Sequence, residues 1–285
     1  MWRLIYTAVY SLIISFASAQ GLDSTFALAE DLYQQERYGE AIYFYERARF
    51  FSDKELETDI LFKMGQSYRR SAEPEKALAY FDRVYFTAKD QKLKQEAILA
   101  KVQSLVQMRS FTQALAEIYS AQAANDEQEQ RLSFYEGICH YARMDFSSAH
   151  EAFIAATGKD SAKARAIVAL YADTSSLYRP RPKVAKRLSY FMPGLGQLYA
   201  GDVKNGLNSM ALNAAMVALT INVGVNYSTF DAFLAVFPWV QRYYLGGTDK
   251  AEMIAQDKLL ENRQDFYLEI MEIFDDQVKG SSAPQ

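Results

Sequence analysis

The sequence predicts an all-α chain: an α-solenoid of about four helix pairs with a capping helix, then a helical hairpin and a C-terminal amphipathic helix. Three observations predict it. Ala41, Ala77, Ala114 and Ala149 recur at intervals of 36, 37 and 35 residues, and four residues after each stands a large apolar group, Tyr45, Phe81, Ile118 and Phe153. Only six prolines and 13 glycines occur among 285 residues, and good helix formers fill the middle of the chain, where strand signals are nearly absent. Two apolar stretches, 207–225 and 230–245, follow a proline- and glycine-containing segment.

Residues 1–19 have the grammar of an export signal. Met1-Trp2-Arg3 is a short basic start, Leu4 to Phe16 is mostly apolar, and Ala17-Ser18-Ala19 is a small-x-small cleavage site before Gln20. The apolar run is short for a bilayer span of about 20 residues, and no cysteine at the cleavage point argues for a lipoprotein. The single cysteine, Cys139, excludes an intramolecular disulfide.

Residues 20–178 hold the repeats. Small residues (Ala48, Ala121, Ala156, with Val84 in the second copy) follow each recurring alanine by seven positions. Ala29, Gly65, Val102 and Gly137 precede it by twelve. Small groups where two helices cross, and large ones between pairs, are what a stacked helix-turn-helix array requires. In the second copy, Leu61, Met64-Gly65, Tyr68, Pro74, Ala77, Phe81 and Val84 carry a resemblance to the tetratricopeptide repeat (TPR) family, which extends over Asp23 to Thr157. The third copy departs most, with Lys101 and Val102 where that family prefers Leu and Gly.

The resemblance implies a protein-binding scaffold whose first helices line a groove for a peptide or helix. Carried over residue by residue, it names Phe26, Glu30, Tyr33 and Gln34, then Phe62, Gln66, Arg69 and Arg70. Copies three and four add Leu99, Gln103, Val106 and Gln107, and Phe134, Ile138, Tyr141 and Ala142. Arginine forks suit a carboxylate; several of these side chains can equally pack on the adjoining helix. The Lys/Asn clamp of some family members is absent, because Phe26 and Glu30 occupy two of its places.

Asp160 to Leu177 is expected to form a cap over the last repeat. Arg179-Pro180-Arg181-Pro182-Lys183 reads as a linker at 179–183, since proline lacks an amide donor and restrains its predecessor. The segment that follows, 184–247, contains Pro193-Gly194-Leu195-Gly196-Gln197-Leu198-Tyr199-Ala200-Gly201, with Lys204 and Gly206 after it. This is similar to the P-G-x-G-Q-x-Y-x-G signature of small bacterial membrane hairpin domains, including the two-transmembrane-segment family. Gln197 and Tyr199 can satisfy backbone groups or lie at headgroup level.

Leu207 to Val225 would extend about 28 Å as a helix and Phe230 to Leu245 about 24 Å. The first matches a hydrocarbon core; the second, carrying Asp231, Pro238 and Arg242, is marginal. Asn208, Asn213 and Asn222 are expected to pair across the hairpin. A hairpin buried inside a soluble domain is the competing expectation. Basic residues flank the hairpin on both sides, which would place both ends in the cytoplasm; the export signal places the repeats outside it, and the signal is the more complete pattern. A helix over 248–278, with Leu260, Tyr267, Ile270, Met271 and Phe274 on one face, and a disordered tail at 279–285 complete the chain.

No catalytic constellation emerges. His140 and His150 stand alone without a third metal ligand, and His140 reads as a core histidine. Neither a phosphate-binding loop nor a nucleophile elbow occurs. No cofactor is implied, and a net charge of -4 without a basic stripe gives no reason for nucleic-acid binding. The expected function is a non-enzymatic adaptor, exported and held by lipid at the periplasmic face of an envelope membrane. The alternative is a soluble periplasmic assembly factor or chaperone. A remoter possibility is a hydrolase or transporter component using Gln197 or Asp231.

Overall fold

The computed structural model describes residues 21–275; the expected leader 1–19 and tail 279–285 lie outside the described residues, as does the side chain of Asp231. The chain divides into two compact units, Met1–Ala164 and Arg165–Gln285. Among the described residues every regular element is helical.

The first unit contains α1 (Leu22–Gln34), α2 (Tyr38–Phe51), α3 (Lys54–Arg70), α4 (Pro74–Thr87), α5 (Gln91–Gln107), α6 (Phe111–Ser120), α7 (Asp126–Ala142) and α8 (Phe146–Ala156). Each helix packs on the next. The sequence period reappears in the backbone: the turns closing the four pairs place Glu36, Ala72, Arg109 and Met144 at positive φ, each five residues before a recurring alanine. The residue after each donates its amide five residues back, Arg37 to Leu32, Glu73 to Tyr68, Ser110 to Leu105 and Asp145 to His140, at 2.8 to 3.0 Å. That bond satisfies a carbonyl which the ending helix would otherwise leave open.

First helices start differently. Asp53, Asp90 and Asn125 accept amide hydrogens from Leu56, Lys92 and Gln128 at 2.9, 3.1 and 2.9 Å, so α3, α5 and α7 open on side-chain caps. The recurring alanines are all 0% exposed. Tyr45, Phe81 and Phe153, fully buried opposite the small residues of the preceding helix, each contribute on the order of 1.5–3 kcal/mol by leaving water. Lys101, the departure in the third copy, is also buried. Its ammonium spans Asp82 of α4 at 2.7 Å and Glu117 of α6 at 2.9 Å, under the Tyr85 ring.

α9 (Ser161–Tyr171) straddles the division, which therefore falls within the expected cap helix. The second unit continues with a 3-10 turn (Ser175–Leu177), α10 (Pro182–Phe191), α11 (Leu195–Tyr199), α12 (Val203–Asn226) and α13 (Thr229–Ile273). Segment 179–183 is no boundary: Pro182 stands in the first turn of α10, where its missing amide costs nothing and its fixed φ favours entry. Nor is 248–278 a separate helix. It is the continuation of the second hairpin arm, and α13 runs unbroken through Pro238, Gly246 and Gly247.

Against α13 pack α10, α11, α12 and the 3-10 turn. Ala185, Ala251 and Ala255 are 0% exposed where α10 crosses it. At its far end Phe266 meets Tyr171 edge-on, Arg263 Nε donates to the Leu177 carbonyl at 2.9 Å, and Ile270 and Phe274 are buried. Leu260, expected on this apolar face, is exposed; the face follows the four-residue steps of Phe266, Ile270 and Phe274 instead.

Candidate partner-binding face and apolar hairpin

In the first unit the expected groove residues separate into two classes. Phe62, Phe134 and Tyr141 are buried, packing on Phe81 (ring centroids 5.6 Å apart), Phe153 (6.2 Å) and Phe146 (5.0 Å). Their rings fill space between helices of a pair, so a ligand could reach them only by repacking the core. Phe26 and Tyr33 are half-buried, edge-on to Tyr45 and Tyr38. Glu30 accepts from the Tyr45 hydroxyl and from Lys63 Nζ at 2.8 Å; burial, reinforced by this carboxylate, pushes the Tyr45 phenol well above its usual range. Gln103 Nε2 donates to the Tyr135 hydroxyl at 3.0 Å, tying α5 to α7.

The arginines remain. Arg69 Nε is buried without a hydrogen-bond partner. Burial and then the like charge of Arg70 push its pKa down, with Arg131 of α7 adding repulsion and the Tyr33 and Tyr135 hydroxyls opposing it. Among the described residues none of the three arginines makes an ion pair. Three cations from α3 and α7, bordered by tyrosines, form an electropositive face that a carboxylate-bearing ligand would neutralise; Gln66 of α3 is half-buried.

Sequence inspection missed a set of exposed aromatics on the second helices: Tyr43, Phe50 and Phe51 on α2, Phe86 on α4 and Tyr119 on α6. Phe50 and Phe86 both lie nine residues after a recurring alanine, a register that could have identified them. His140 is a core residue, with the Tyr119 hydroxyl 3.0 Å from Nε2 and Asp145 3.2 Å from Nδ1. Cys139 is buried beside it, and burial pushes its thiol up to about 12.

In the second unit the glycine motif is the joint of the hairpin. Gly194 takes φ 97° ahead of α11, against the backbone of Gly206 in α12; a Cβ there would meet the Gly206 carbonyl at 2.4 Å. Gly196 lies still closer to α10, where a Cβ would meet the Ala185 carbonyl at 2.0 Å. Only glycine fits either position. Gln197 is 1% exposed; its Nε2 donates to the Gly247 carbonyl at 2.9 Å and its Oε1 accepts from Ser189 Oγ at 3.1 Å. Ser189 Oγ in turn accepts from the Gly196 amide at 3.0 Å. Tyr199 Oη accepts from the Arg181 amide at 3.1 Å. Both polar residues of the motif therefore satisfy backbone groups. Pro193 is half-buried, and Gly201 adopts φ 89° where α11 ends.

Beyond this joint the hairpin is bare. α12 is long and apolar enough to cross a membrane, with a mean hydropathy of 1.3, and between Leu207 and Asn226 only Asn213 is buried. Leu207, Leu212, Val217, Leu219, Ile221 and Val225 are exposed on α12, and Phe230, Phe233, Leu234, Phe237 and Trp239 on α13. An apolar recess of about 610 Å³ lies between the arms, lined by Ile221, Val225, Phe233 and Phe237. The asparagines do not pair across it. Asn213 Nδ2 donates to the Ser209 carbonyl at 2.8 Å and Asn226 to that of Asn222 at 3.0 Å, because an amide four residues along a helix reaches its own ladder more readily than a neighbouring helix.

Among the described residues no three His, Cys, Asp or Glu side chains gather to hold a metal. No family model, no curated protein and no solved structure matches this chain.

Proposed function

We propose that the chain is a non-enzymatic, membrane-attached adaptor of TPR type, whose first unit holds an acidic polypeptide segment and whose second inserts its hairpin into lipid. The observation that carries the attachment is the hairpin's uncovered apolar surface, continuous over both arms. A soluble domain rarely exposes so large an apolar patch, and a hairpin of two helices joined by Tyr227 and Ser228 satisfies its own backbone in lipid. Export, with the repeats on the periplasmic side, accords with the leader's pattern. The three unpaired arginines favour a carboxylate-rich partner.

Flotation of the full chain with neutral phosphatidylcholine vesicles tests the attachment. The wild type is expected to float, and the Ile221→Lys/Phe233→Lys variant to stay in the soluble fraction while keeping its helical circular dichroism. A wild-type chain that stays soluble without aggregating would favour the periplasmic assembly factor. Crosslinking from native membranes, compared between wild type and Arg69→Gln/Arg131→Gln, tests the partner half; loss of the major crosslinked species is expected.

A further inference from the structure

At the base of the hairpin a second cavity of about 350 Å³, of mixed polar and apolar lining, opens between α12 and α13. Its wall includes Asn208, Ser209, Arg242, Tyr243 and Lys250, with Gly246 and Gly247 leaving it room. We propose that this cavity is a binding site for a phosphate ester, and that its source is the headgroup of an anionic phospholipid.

The charged side chains of the lining are both cations, Arg242 and Lys250. No carboxylate lines the cavity. The acids nearest in sequence on α13, Asp249 and Glu252, are both held by Lys186, at 2.8 and 2.7 Å. Asp202 does not line the cavity; Asn205 donates to it from its backbone amide and its side chain at 2.9 and 2.6 Å, and these bonds, with the nearby charges of Lys250 and Lys204, hold its carboxyl below the usual range. Lys250 Nζ donates to Asn205 Oδ1 at 2.7 Å and keeps two further hydrogens. Arg242 makes no hydrogen bond or ion pair among the described residues, and neither the Asn208 amide nor the Ser209 and Tyr243 hydroxyls are engaged. Two cations and three neutral groups able to donate thus line one cavity, and apart from the Lys250–Asn205 bond they have no acceptor among the described residues, the composition that a phosphate with its several oxygens satisfies. The volume accommodates the glycerol as well.

Depth selects the source. From Asn208 to the end of α12 at Asn226 the helix rises about 27 Å, close to the thickness of a hydrocarbon layer. With the tip inserted, the cavity lies at the headgroup level, and Arg242, about a turn nearer the tip, reaches it by snorkelling. The lipid source rests on the attachment proposed above; the phosphate chemistry does not.

The full chain is titrated against vesicles of phosphatidylcholine alone and with about 30% phosphatidylglycerol, and separately against sn-glycerol 3-phosphate by calorimetry. The anionic vesicles are expected to bind at least about tenfold tighter than the neutral ones. Arg242→Gln/Lys250→Gln is expected to abolish that preference without weakening neutral binding. Lys183→Gln/Arg187→Gln, which removes the same charge from α10, should retain it. Equal loss in both pairs would mean diffuse attraction and overturn the site. If no vesicle binds, attachment fails while the site stands on the calorimetry: saturable glycerol phosphate binding lost in the first pair assigns a soluble ester, and no binding overturns it.

Discussion

Gly65 and Phe81 are packed so closely that a Cβ on the glycine would lie 2.6 Å from the phenyl ring. Gly137 and Phe153 repeat the arrangement at the same 2.6 Å two pairs later. In the third pair the small position is larger and its partner slimmer, Val102 with Ile118, whereas in the first pair Ala29 shares a cluster with the still larger Tyr45. Gly65→Ala should therefore destabilise by about 1–3 kcal/mol through overpacking, despite the gain in helix propensity of up to about 1 kcal/mol. Phe81→Leu should relieve it, so that a double-mutant cycle by urea denaturation gives a coupling above about 0.5 kcal/mol. Gly39→Ala, with nothing within 4 Å, is the control and should not destabilise.

This size matching was legible only in part. Alanines at a fixed spacing announced the helix pairs because close crossings tolerate nothing larger. The turns were invisible, since Glu36, Ala72, Arg109 and Met144 are not the residues that signal a left-handed backbone. Pro238 and the Gly246-Gly247 pair are helix breakers by propensity, yet packing of α11 and α12 along α13 holds them in one helix. Arg69 was picked out from its repeat position, whereas its nearness to Arg131 joins residues two repeats apart and no local pattern encodes it. The cavity at the hairpin base was equally hidden, because its walls come from two helices joined through a distant tip.

The four left-handed turn residues carry a conformational cost of about 1 kcal/mol each that glycine would not. Ala72, at φ 61°, has no long side chain to lose. Ala72→Gly is expected to stabilise by about 0.5–1 kcal/mol in urea denaturation, the flexibility gained by the unfolded chain offsetting part of the relief. A destabilised variant would mean that the methyl group's packing outweighs the backbone strain.

Lys101 is 7% exposed between Asp82 and Glu117. Burial pulls its pKa down, but the two carboxylates outweigh burial and hold it above the ordinary 10.5. Its contribution is thus complete below pH 10.5 and lost as pH rises through the folded value. Both acids retain access to water, so Lys101→Met should stay within about 1 kcal/mol of wild type, whereas Lys101→Glu, a third carboxylate in that space, should cost about 3 kcal/mol or more. Thermal melts at neutral pH distinguish the two.

The Cys139 thiol is raised from 9.0 to about 12, by burial first and then by Glu136. A native thiol that keeps its proton while the unfolded one ionises makes the unfolding free energy flat below pH 9 and falling from there towards 12. Native protein should leave Cys139 unlabelled by a disulfide reagent at pH 8, and urea should release one equivalent of thiol. Cys139→Ala should flatten part of the alkaline decline; an unchanged slope would assign that decline to the tyrosines, Tyr45, raised by its burial, with Tyr68 and Tyr119, raised to about 12.

Arg69 stands in the opposite situation, a cation desolvated among cations. With Arg70 and Arg131 repelling it and its Nε unbonded, the free protein bears an unfavourable charge that a bound carboxylate would relieve. Arg69→Met keeps the aliphatic stem and removes the charge. It is expected to stabilise the unliganded chain by about 1 kcal/mol and to weaken capture of an acidic partner. Added salt should stabilise wild type more than the variant, because screening acts on repulsion that only wild type contains. A variant less stable than wild type at low salt would show that Arg69 serves the fold and not a ligand.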